Sequence, residues 1–294
     1  MNILVTGSNG GFGQLIIEDL INNGHKVAGS MRDVAGRNAA AASALRALGA
    51  HVVEMDVADE QSVTSGVAEA TRHLGGIDVL VNNAGIGAHG LIENFSADDY
   101  KRLFEVNVFG VQRTTRAAVP QMRERGEGLV INVSSLLGRI ALPFYGPYQA
   151  SKWALEAMTE NWRVELSGFG VEFAIVEPGG FATTFVDRLV QPSNPDRSAD
   201  YGTMADAPQA GLAHFMAMLA ENPQQDPKLV AKAVSDLVAA GHGMRPFRTE
   251  VDRTGAGDHV KAYNEHFAKL TEGIYAASGA GHMLSVKTRA EAAE

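Results

Sequence analysis

The sequence predicts an α/β fold, a doubly wound parallel sheet of about seven strands with helices on both faces. Short apolar runs alternate, up to about residue 176, with longer stretches whose apolar residues recur at helical spacing. The apolar runs are nearly continuous, as in strands that helices cover on both sides. With 45% hydrophobic and 20% charged residues, the composition is that of a globular domain.

The elements follow one another in regular order. Strands rich in Val, Ile and Leu are predicted at 3–5, 26–30, 51–55, 77–81, 128–133 and 171–176. Helices are predicted at 12–23, in an alanine-rich stretch ending near 49, at 60–74, in one long segment from about 97 to 125, and at 148–166. Each strand is therefore followed by a helix, which requires parallel strands.

The pattern changes after Phe185. Proline and small polar residues crowd the stretch 187–211, which predicts a long loop, and we expect a substrate loop at about 185–225. A helix at 226–240, a seventh strand at the sheet edge within 245–251 and a helix at 259–275 follow. The end beyond Ser285 is rich in Ala and Glu and is expected to be disordered.

Charge and composition exclude several classes of function. The net charge of −9 and the lack of basic clusters argue against a nucleic-acid partner. The chain has no cysteine, and its nine histidines lack metal-ligand spacing, so no metal site is predicted. No apolar run reaches the ~20 residues of a membrane span. A strand beginning at Asn2 leaves no room for a signal peptide, so we expect a cytoplasmic protein.

A glycine-rich turn, with Gly7, Gly11 and Gly13, connects the first strand to the first helix. Glycine permits positive φ and close approach of the backbone to a ligand. The free N–H groups of a helix N-terminus attract phosphate. We therefore predict a Rossmann-like site for the pyrophosphate of a dinucleotide. A tight strand-to-helix turn without a ligand is the alternative.

Tyr148 and Lys152 lie four residues apart and so share one helix face. An adjacent ammonium favours the phenolate, which moves the phenol pKa from ~10 toward the range useful for acid–base catalysis. Ser135 follows the fifth strand and could hydrogen-bond a substrate oxygen. A solvated helix face is the alternative for the Tyr–Lys pair taken alone.

The ends of the other strands also carry turn or polar residues. Asp56 follows strand three, Asn83 strand four, Ser135 strand five and Pro178 strand six. Because parallel strands end at one edge of the sheet, where ligands bind, we expect these residues to lie near the glycine turn.

These residues resemble the short-chain dehydrogenase/reductase family in its single-domain branch, over about residues 1–190. The resemblance rests on a glycine motif, an Asn-Asn-Ala-Gly element, a catalytic tetrad and a Pro-Gly-x-x-x-Thr element. The glycine motif consists of Thr6, Gly7, Gly11 and Gly13, and the Asn-Asn-Ala-Gly element is 82–85. The tetrad consists of Asn107, Ser135, Tyr148 and Lys152, and the last element contains Pro178, Gly179 and Thr183. The stretch 80–87 and the region of Arg32 are similar to hydroxysteroid and retinol dehydrogenases.

The resemblance implies an enzyme that transfers a hydride with a nicotinamide dinucleotide. It implies that Tyr148 is the general acid/base, that Lys152 lowers its pKa and binds the ribose, that Ser135 holds the substrate oxygen and that Asn107 holds a water. From the sequence alone, Asn107 could instead shape its helix, and Asp56 could cap the next turn rather than contact adenine. The expected cofactor-binding residues are Gly7, Ser8, Asn9, Gly11, Phe12, Gly13, Arg32, Asp56, Val57, Asn83, Ala84, Gly85, Tyr148, Lys152, Pro178, Gly179, Phe181 and Thr183.

The end of the second strand bears on the choice between NADP and NAD. An acidic residue there binds the ribose 2′-hydroxyl, and a nearby Arg accommodates a 2′-phosphate. Met31 occupies the place where the family carries the acid, and Arg32 comes next. We predict NADP(H), with NAD(H) kept possible by Asp33.

The predicted substrate pocket is apolar, with Ile86, Leu136, Leu142, Tyr145 and Phe185 as its residues. Further candidates are Phe144, Phe181, Met204, Phe215 and Met218. Any of them could instead belong to the core. Their concentration predicts a bulky hydrophobic ketone, aldehyde or secondary alcohol, as for a carbonyl reductase or a hydroxysteroid dehydrogenase-like enzyme.

We thus predict that 1–252 is the dinucleotide-binding and catalytic domain and that 253–294 is a helical, partly flexible extension. A homodimer or homotetramer is expected from the resemblance. A non-catalytic dinucleotide-binding redox regulator, a sugar-nucleotide epimerase or dehydratase, and a structural oligomer subunit are the alternatives. The joint presence of Ser135, Tyr148 and Lys152 favours the enzyme over the regulator.

Overall fold

A seven-stranded sheet forms the centre of the computed structural model, which describes residues 1–287 and 291. All strands are parallel and lie in the order β3-β2-β1-β4-β5-β6-β7. They are β1 (Asn2–Thr6), β2 (Lys26–Met31), β3 (His51–Glu54), β4 (Val79–Asn82), β5 (Gly128–Val133), β6 (Val171–Pro178) and β7 (Arg248–Val251). The predicted parallel sheet of about seven strands is confirmed.

Nine α-helices connect and follow the strands within the described residues. They are α1 (Phe12–Asn22), α2 (Ala39–Ala47), α3 (Glu60–Leu74), α4 (Ala97–Phe104), α5 (Gly110–Arg125), α6 (Gly146–Ser167), α7 (Ala207–Ala220), α8 (Lys228–Ala239) and α9 (Ala256–Ala277).

Alternate residues of the central strands point to two hydrophobic cores. Ile3 and Val5 of β1 pack in the core covered by α1, α2 and α8. Leu4, between them, packs in the core covered by α3, α5 and α6. The strands are thus buried on both faces, which explains their continuous apolar sequences. The order of the strands reverses at β1, which pairs with β2 on one side and β4 on the other, and ligands bind at such a switch point.

The helix predicted from about 97 to 125 is interrupted. A π-helical turn, Glu105–Phe109, separates α4 from α5. This turn contains the buried Asn107, whose amide bonds to the backbone of Ile86. Such π turns often occur at functional sites, and apolar periodicity gives no sign of them.

The stretch predicted as a loop contains helical structure. Two 3₁₀ segments, Val186–Arg188 and Pro195–Met204, precede α7. We missed α7 because its apolar residues surround the helix instead of forming one stripe.

The predicted strand within 245–251 and the helix at 259–275 correspond to β7 and α9. The helix α9 packs against β7, and a 3₁₀ turn, Gly281–Leu284, contacts α6. Of the end that we expected to be disordered, residues 288–290 and 292–294 lie outside the described part of the chain. None of the helices within residues 1–287 is both long and apolar enough to cross a lipid bilayer.

Candidate active site

Two glycines of the turn after β1, Gly7 and Gly13, leave no space for a side chain. A Cβ on Gly13 would lie 2.3 Å from the carbonyl oxygen of Gly7, and one on Gly7 would lie 2.6 Å from Cα of Ala84. Gly7 and Gly11 both have positive φ, of 67° and 54°. The helix α1 begins at Phe12 with no side-chain cap. The N–H of Gly13 donates to the carbonyl oxygen of Gly10 at 3.2 Å, which leaves the neighbouring N–H groups of Phe12 and Gln14 to bind an anion.

Asn83 joins this turn to the loop after β4. Its Nδ2 donates to the carbonyl oxygens of Thr6 (3.0 Å) and Gly7 (3.1 Å). The backbone N–H groups of Asn83 and Ala84 donate in turn to Oγ1 of Thr6, at 3.1 and 3.0 Å. Thr6, which our predicted binding set omits, therefore fixes the two loops against each other.

The four residues predicted to be catalytic lie together beside these loops. Nζ of Lys152 lies 5.8 Å from the ring centroid of Tyr148 and donates to the carbonyl oxygen of Val133 at 2.8 Å. Ser135 accepts a hydrogen bond from the N–H of Leu137, and its hydroxyl lies beside the Tyr148 phenol. All four side chains are buried, which keeps bulk water away from any reaction there.

Asn107 contacts three groups through its amide. It accepts from the N–H of Ile86, and it donates to the carbonyl oxygen of Ile86 and to Oγ of Ser151, each at 2.9 Å. Its Oδ1 and Nζ of Lys152 lie 3.3 and 3.9 Å from the position of a Cβ built on Gly85. The amide of Asn107 thus bonds to the loop after β4 and to Ser151 of α6, and its role in holding a water stays a prediction.

Burial favours the uncharged forms of the Tyr148 and Lys152 side chains, and it shifts the pKa of each accordingly. Burial raises the pKa of the Tyr148 phenol to about 12, an effect that the Ser135 hydroxyl partly opposes. Burial lowers the pKa of the Lys152 ammonium to about 8, against the attraction of the Glu156 carboxylate one turn further along α6. The lowering of the Tyr148 pKa by Lys152 stays a prediction.

Arg32 and Asp56 lie just after β2 and β3, the two strands beyond β1 in the sheet. The guanidinium of Arg32 contacts the Asp56 carboxylate at 3.3 Å, and both side chains reach solvent. Oδ1 of Asp56 also accepts from the N–H of Ala58 at 3.0 Å, as expected of a capping residue. Val57 follows it and is buried against Gly110 at the start of α5. Within the glycine turn, Ser8 donates to the carbonyl oxygen of Ser30, and Asn9 donates to the side-chain oxygen of Asn38.

Asp33 belongs to a separate turn. It adopts a positive φ of 52°, and its carboxylate accepts from the N–H of Arg37 at 3.1 Å. Its carbonyl oxygen accepts from the N–H groups of Gly36 and Asn38. The Asp33 carboxylate therefore closes its own turn.

The loop after β6 contacts the glycine turn from the other side. Phe181 is buried and meets Phe12 edge to face, with ring centroids 5.5 Å apart. Gly179 approaches Asp252 so closely that a Cβ would lie 2.2 Å from Oδ1. Pro178 ends β6, and Oγ1 of Thr183 accepts from the N–H of Phe185 at 3.3 Å.

Part of the predicted substrate pocket gathers around Tyr148. Ile86 and Phe185 pack in one apolar cluster with it, and the rings of Tyr148 and Phe185 are 5.7 Å apart. Leu136 is buried nearby. Leu142, Met204 and Met218 are exposed, whereas Phe215 lies over Gly180, where a Cβ would be 2.1 Å from its ring.

Sequence reasoning missed His89. This buried imidazole meets the rings of Tyr145 and Phe144 edge to face, at centroid distances of 4.6 and 6.0 Å. Burial lowers its pKa. No spacing in the sequence connects His89 to Tyr145, because α4, α5 and β5 lie between them in the chain.

The segment 185–204, which we call the cover, lies over Tyr148. Its Val190 packs in the Tyr148 cluster and donates its N–H to the carbonyl oxygen of Gly87 at 2.8 Å, beside a bridge between Ala88 and Val190. A Cβ on Gly87 would lie 2.5 Å from the Phe185 ring, so this approach depends on glycine.

The close approach of Gly7 and Gly13 and the free N–H groups at the start of α1 fit the pyrophosphate of a dinucleotide. The family model described as short chain dehydrogenase matches residues 1–194. The chain belongs to this family. It is an oxidoreductase that acts on CH–OH groups, and the predicted family and enzyme class are confirmed.

Three curated relatives are similar to this short-chain dehydrogenase. The uncharacterized oxidoreductase YusZ of Bacillus subtilis is 39% identical over 62% of this chain and 65% of its own. The 3-ketodihydrosphingosine reductase of Bacteroides thetaiotaomicron is 31% identical over 85% of this chain and 87% of its own. Retinol dehydrogenase 8 of Bos taurus is 30% identical over 81% of this chain and 78% of its own.

Two solved structures of the family have nicotinamide dinucleotides bound. A short-chain dehydrogenase from Burkholderia phymatum in complex with NAD has a TM-score of 0.74 and 26% identity, over 92% of this chain and 95% of its own. An actinorhodin polyketide ketoreductase with NADPH has a TM-score of 0.71 and 26% identity, over 87% and 97%. Relatives of this fold thus bind either cofactor.

Proposed function

We propose that this short-chain dehydrogenase is an NADP(H)-dependent oxidoreductase that interconverts a hydrophobic ketone or aldehyde and its alcohol. The observation that carries the proposal is the position of Tyr148, which is buried in an apolar cluster, next to the Ser135 hydroxyl and one helical turn from Lys152. The 3-ketodihydrosphingosine reductase and retinol dehydrogenase among the relatives are named for a ketone and an alcohol on largely hydrocarbon skeletons, which supports the substrate class.

The glycine cradle, Asn83 and the free N–H groups of α1 would hold the pyrophosphate, and Lys152 and Thr183 would contact the nicotinamide end. When bound, the dinucleotide supplies or accepts the hydride. The fit is supported by Gly7 and Gly13, where any side chain would fill the cradle.

Tyr148 exchanges the proton. Its phenol donates a proton to the carbonyl oxygen in reduction, and its phenolate accepts a proton from the hydroxyl in oxidation. With a pKa of about 12 the phenol keeps its proton near neutral pH, which is the form that reduction requires. Ser135 holds the substrate oxygen, and Lys152, whose pKa burial lowers to about 8, can exchange a proton near neutral pH. We also propose that Asn107 binds a water molecule in the site.

The preference for NADP(H) is supported by the turn after β2. Arg32 extends into solvent beside Asp56, where it can reach a 2′-phosphate, whereas the Asp33 carboxylate is engaged by the Arg37 N–H. Replacing Arg32 by Ala should raise KM for NADPH much more than for NADH. Equal effects on the two cofactors would argue against this preference.

We further propose that 1–252 form the catalytic domain, with 253–294 as a helical extension, in a cytoplasmic homodimer or homotetramer. The exposed aromatic side chains of Phe109, beside α5, and Trp153, on α6, support an assembly through these helices.

The test is NADPH or NADH oxidation at 340 nm with hydrophobic ketones, aldehydes and steroid ketones. Tyr148→Phe should lower kcat by about 10²–10⁴-fold, the usual range for a lost acid–base group, and leave the Kd of NADPH unchanged. Tyr100→Phe, which removes a hydroxyl from the same cluster, serves as the control. Near-normal turnover of Tyr148→Phe would refute the mechanism, and tight cofactor binding without any carbonyl turnover would favour a redox regulator.

A further inference from the structure

Arg188 lies over the glycine turn, although it is far from it in sequence. It ends the 3₁₀ segment Val186–Arg188 of the cover. Its Nη2 lies 3.9 Å from the position of a Cβ built on Gly10, and Oγ1 of Thr184 lies 3.4 Å from the same point. The guanidinium therefore faces the turn that would hold the cofactor's pyrophosphate.

The guanidinium of Arg188 has no acidic partner among residues 1–287 and 291. Other arginines near the site are paired: Arg32 with Asp56, and Arg197 of the cover with Glu93. For Arg188 the described residues provide neither a carboxylate within 4.0 Å nor a hydrogen-bond acceptor for its side chain. Its charge is thus free to bind an anion.

Two positive groups approach each other here. The free N–H groups at the start of α1 carry a partial positive charge, and Arg188 adds a full one. Like charges repel, and an anion that binds between them is attracted by both. A phosphate suits both, because a guanidinium can donate two parallel hydrogen bonds to its oxygens.

We propose that Arg188 binds the pyrophosphate of the dinucleotide from the side opposite the helix α1. This inference rests on the proposed function. Because Phe185 and Val190 of the same short segment pack on Tyr148, the contact also ties the cover of the catalytic tyrosine to the bound cofactor.

The experiment is a fluorescence titration of NADPH and of NADH into the wild-type chain and into four variants. Arg188→Ala should raise the Kd of both cofactors by the same factor, about tenfold, as expected for a lost hydrogen bond to a charged group. The Kd values of Arg188→Lys should lie between those of the wild type and Arg188→Ala, because lysine keeps the charge but not the planar guanidinium. The factor should shrink in high salt, since the contact is ionic and open to solvent.

Two other arginines provide matched controls. Arg197→Ala removes the same charge from the same cover segment at a site where Glu93, not the glycine turn, is the partner, and it should change either Kd by less than about twofold. Arg32→Ala should weaken NADPH selectively. If Arg188→Ala weakens binding of both cofactors equally and Arg32→Ala weakens binding of NADPH alone, then Arg188 contacts the pyrophosphate and Arg32 the 2′-phosphate.

Kd values for Arg188→Ala that match those of Arg197→Ala would overturn the inference while leaving the proposed function in place. A loss confined to NADPH would also overturn it, because the pyrophosphate is common to both cofactors. A wild-type chain that binds neither dinucleotide would overturn the proposed function and this inference together.

Discussion

Two arginine-centred clusters of the molecule differ in exposure. Arg248 of β7 contacts Glu156, Glu160 and Glu177 at 3.1, 2.6 and 3.3 Å, and Glu156 lies one turn beyond Lys152 on α6. Arg197 of the cover contacts Glu93 at 3.0 Å. The side chain of Arg248 is 7% exposed and that of Arg197 58%.

The difference shows how one type of contact serves two purposes. A buried charge left without its partner is costly, so the Arg248 cluster has to stay intact for the fold to persist. An exposed pair contributes little, so the cover can separate from Glu93 without loss of the fold. We infer a fixed floor behind Tyr148 and Lys152 and a cover in front that can open to admit substrate.

The largest difference is expected when each arginine is replaced by methionine. Arg248→Met should lower the free energy of unfolding by about 3–5 kcal/mol, because it leaves buried carboxylates unpaired. Arg197→Met should have a much smaller effect. Urea denaturation of both variants measures this, and equal losses would contradict the distinction between floor and cover.

A second test uses the pH dependence of the floor. Burial, together with the Glu156 and Glu250 carboxylates, raises the pKa of Glu177 to about 8, against the opposing effects of Arg248 and the Asn264 amide. The folded state therefore holds a proton on Glu177 that the unfolded state releases above its ordinary pKa of 4.5. This group should make the free energy of unfolding fall as pH rises from about 4.5 to about 8, by up to ~1.4 kcal/mol per pH unit.

Glu177→Gln keeps the shape of the side chain and removes this titration. Its unfolding free energy, measured in urea at several pH values, should depend less on pH than that of the wild type, and it should exceed the wild-type value at about pH 8. Parallel curves for the two proteins would show that Glu177 is not the titrating group.

The smallest effect is expected at the cover. Hydrogen bonds from Tyr201 and Arg197 hold the pKa of Glu93 below its usual range, so the pair is formed at neutral pH. Glu93→Gln should leave the unfolding midpoint almost unchanged but alter KM for a hydrophobic substrate a few-fold, because it loosens the cover. Asp98→Asn, which removes a charge from the exposed pair with Lys101, is the control. Identical KM values for the two variants would count against a role for the Glu93 contact.

Much of the sheet and of the candidate site follows from local pattern. The strands, the glycine turn and the Tyr–Lys spacing are visible in the chain because each depends on residues close in sequence. The parallel order then places Asn83, Ser135 and Pro178 near the turn, since the strands end at one edge. The π turn at Asn107 and the helix α7 left no such pattern, because neither has a single apolar stripe.

The sequence by itself determined the sheet, the glycine turn and the spacing of Tyr148 and Lys152, because short-range periodicity and backbone chemistry specify them. Only the tertiary structure decided what surrounds them. It brought Arg248 against Glu156 and Glu177, and Arg188 over Gly10, across 92, 71 and 178 positions of sequence. Such contacts depend on how β7 and the cover pack on the finished sheet, and no spacing in the chain records that packing.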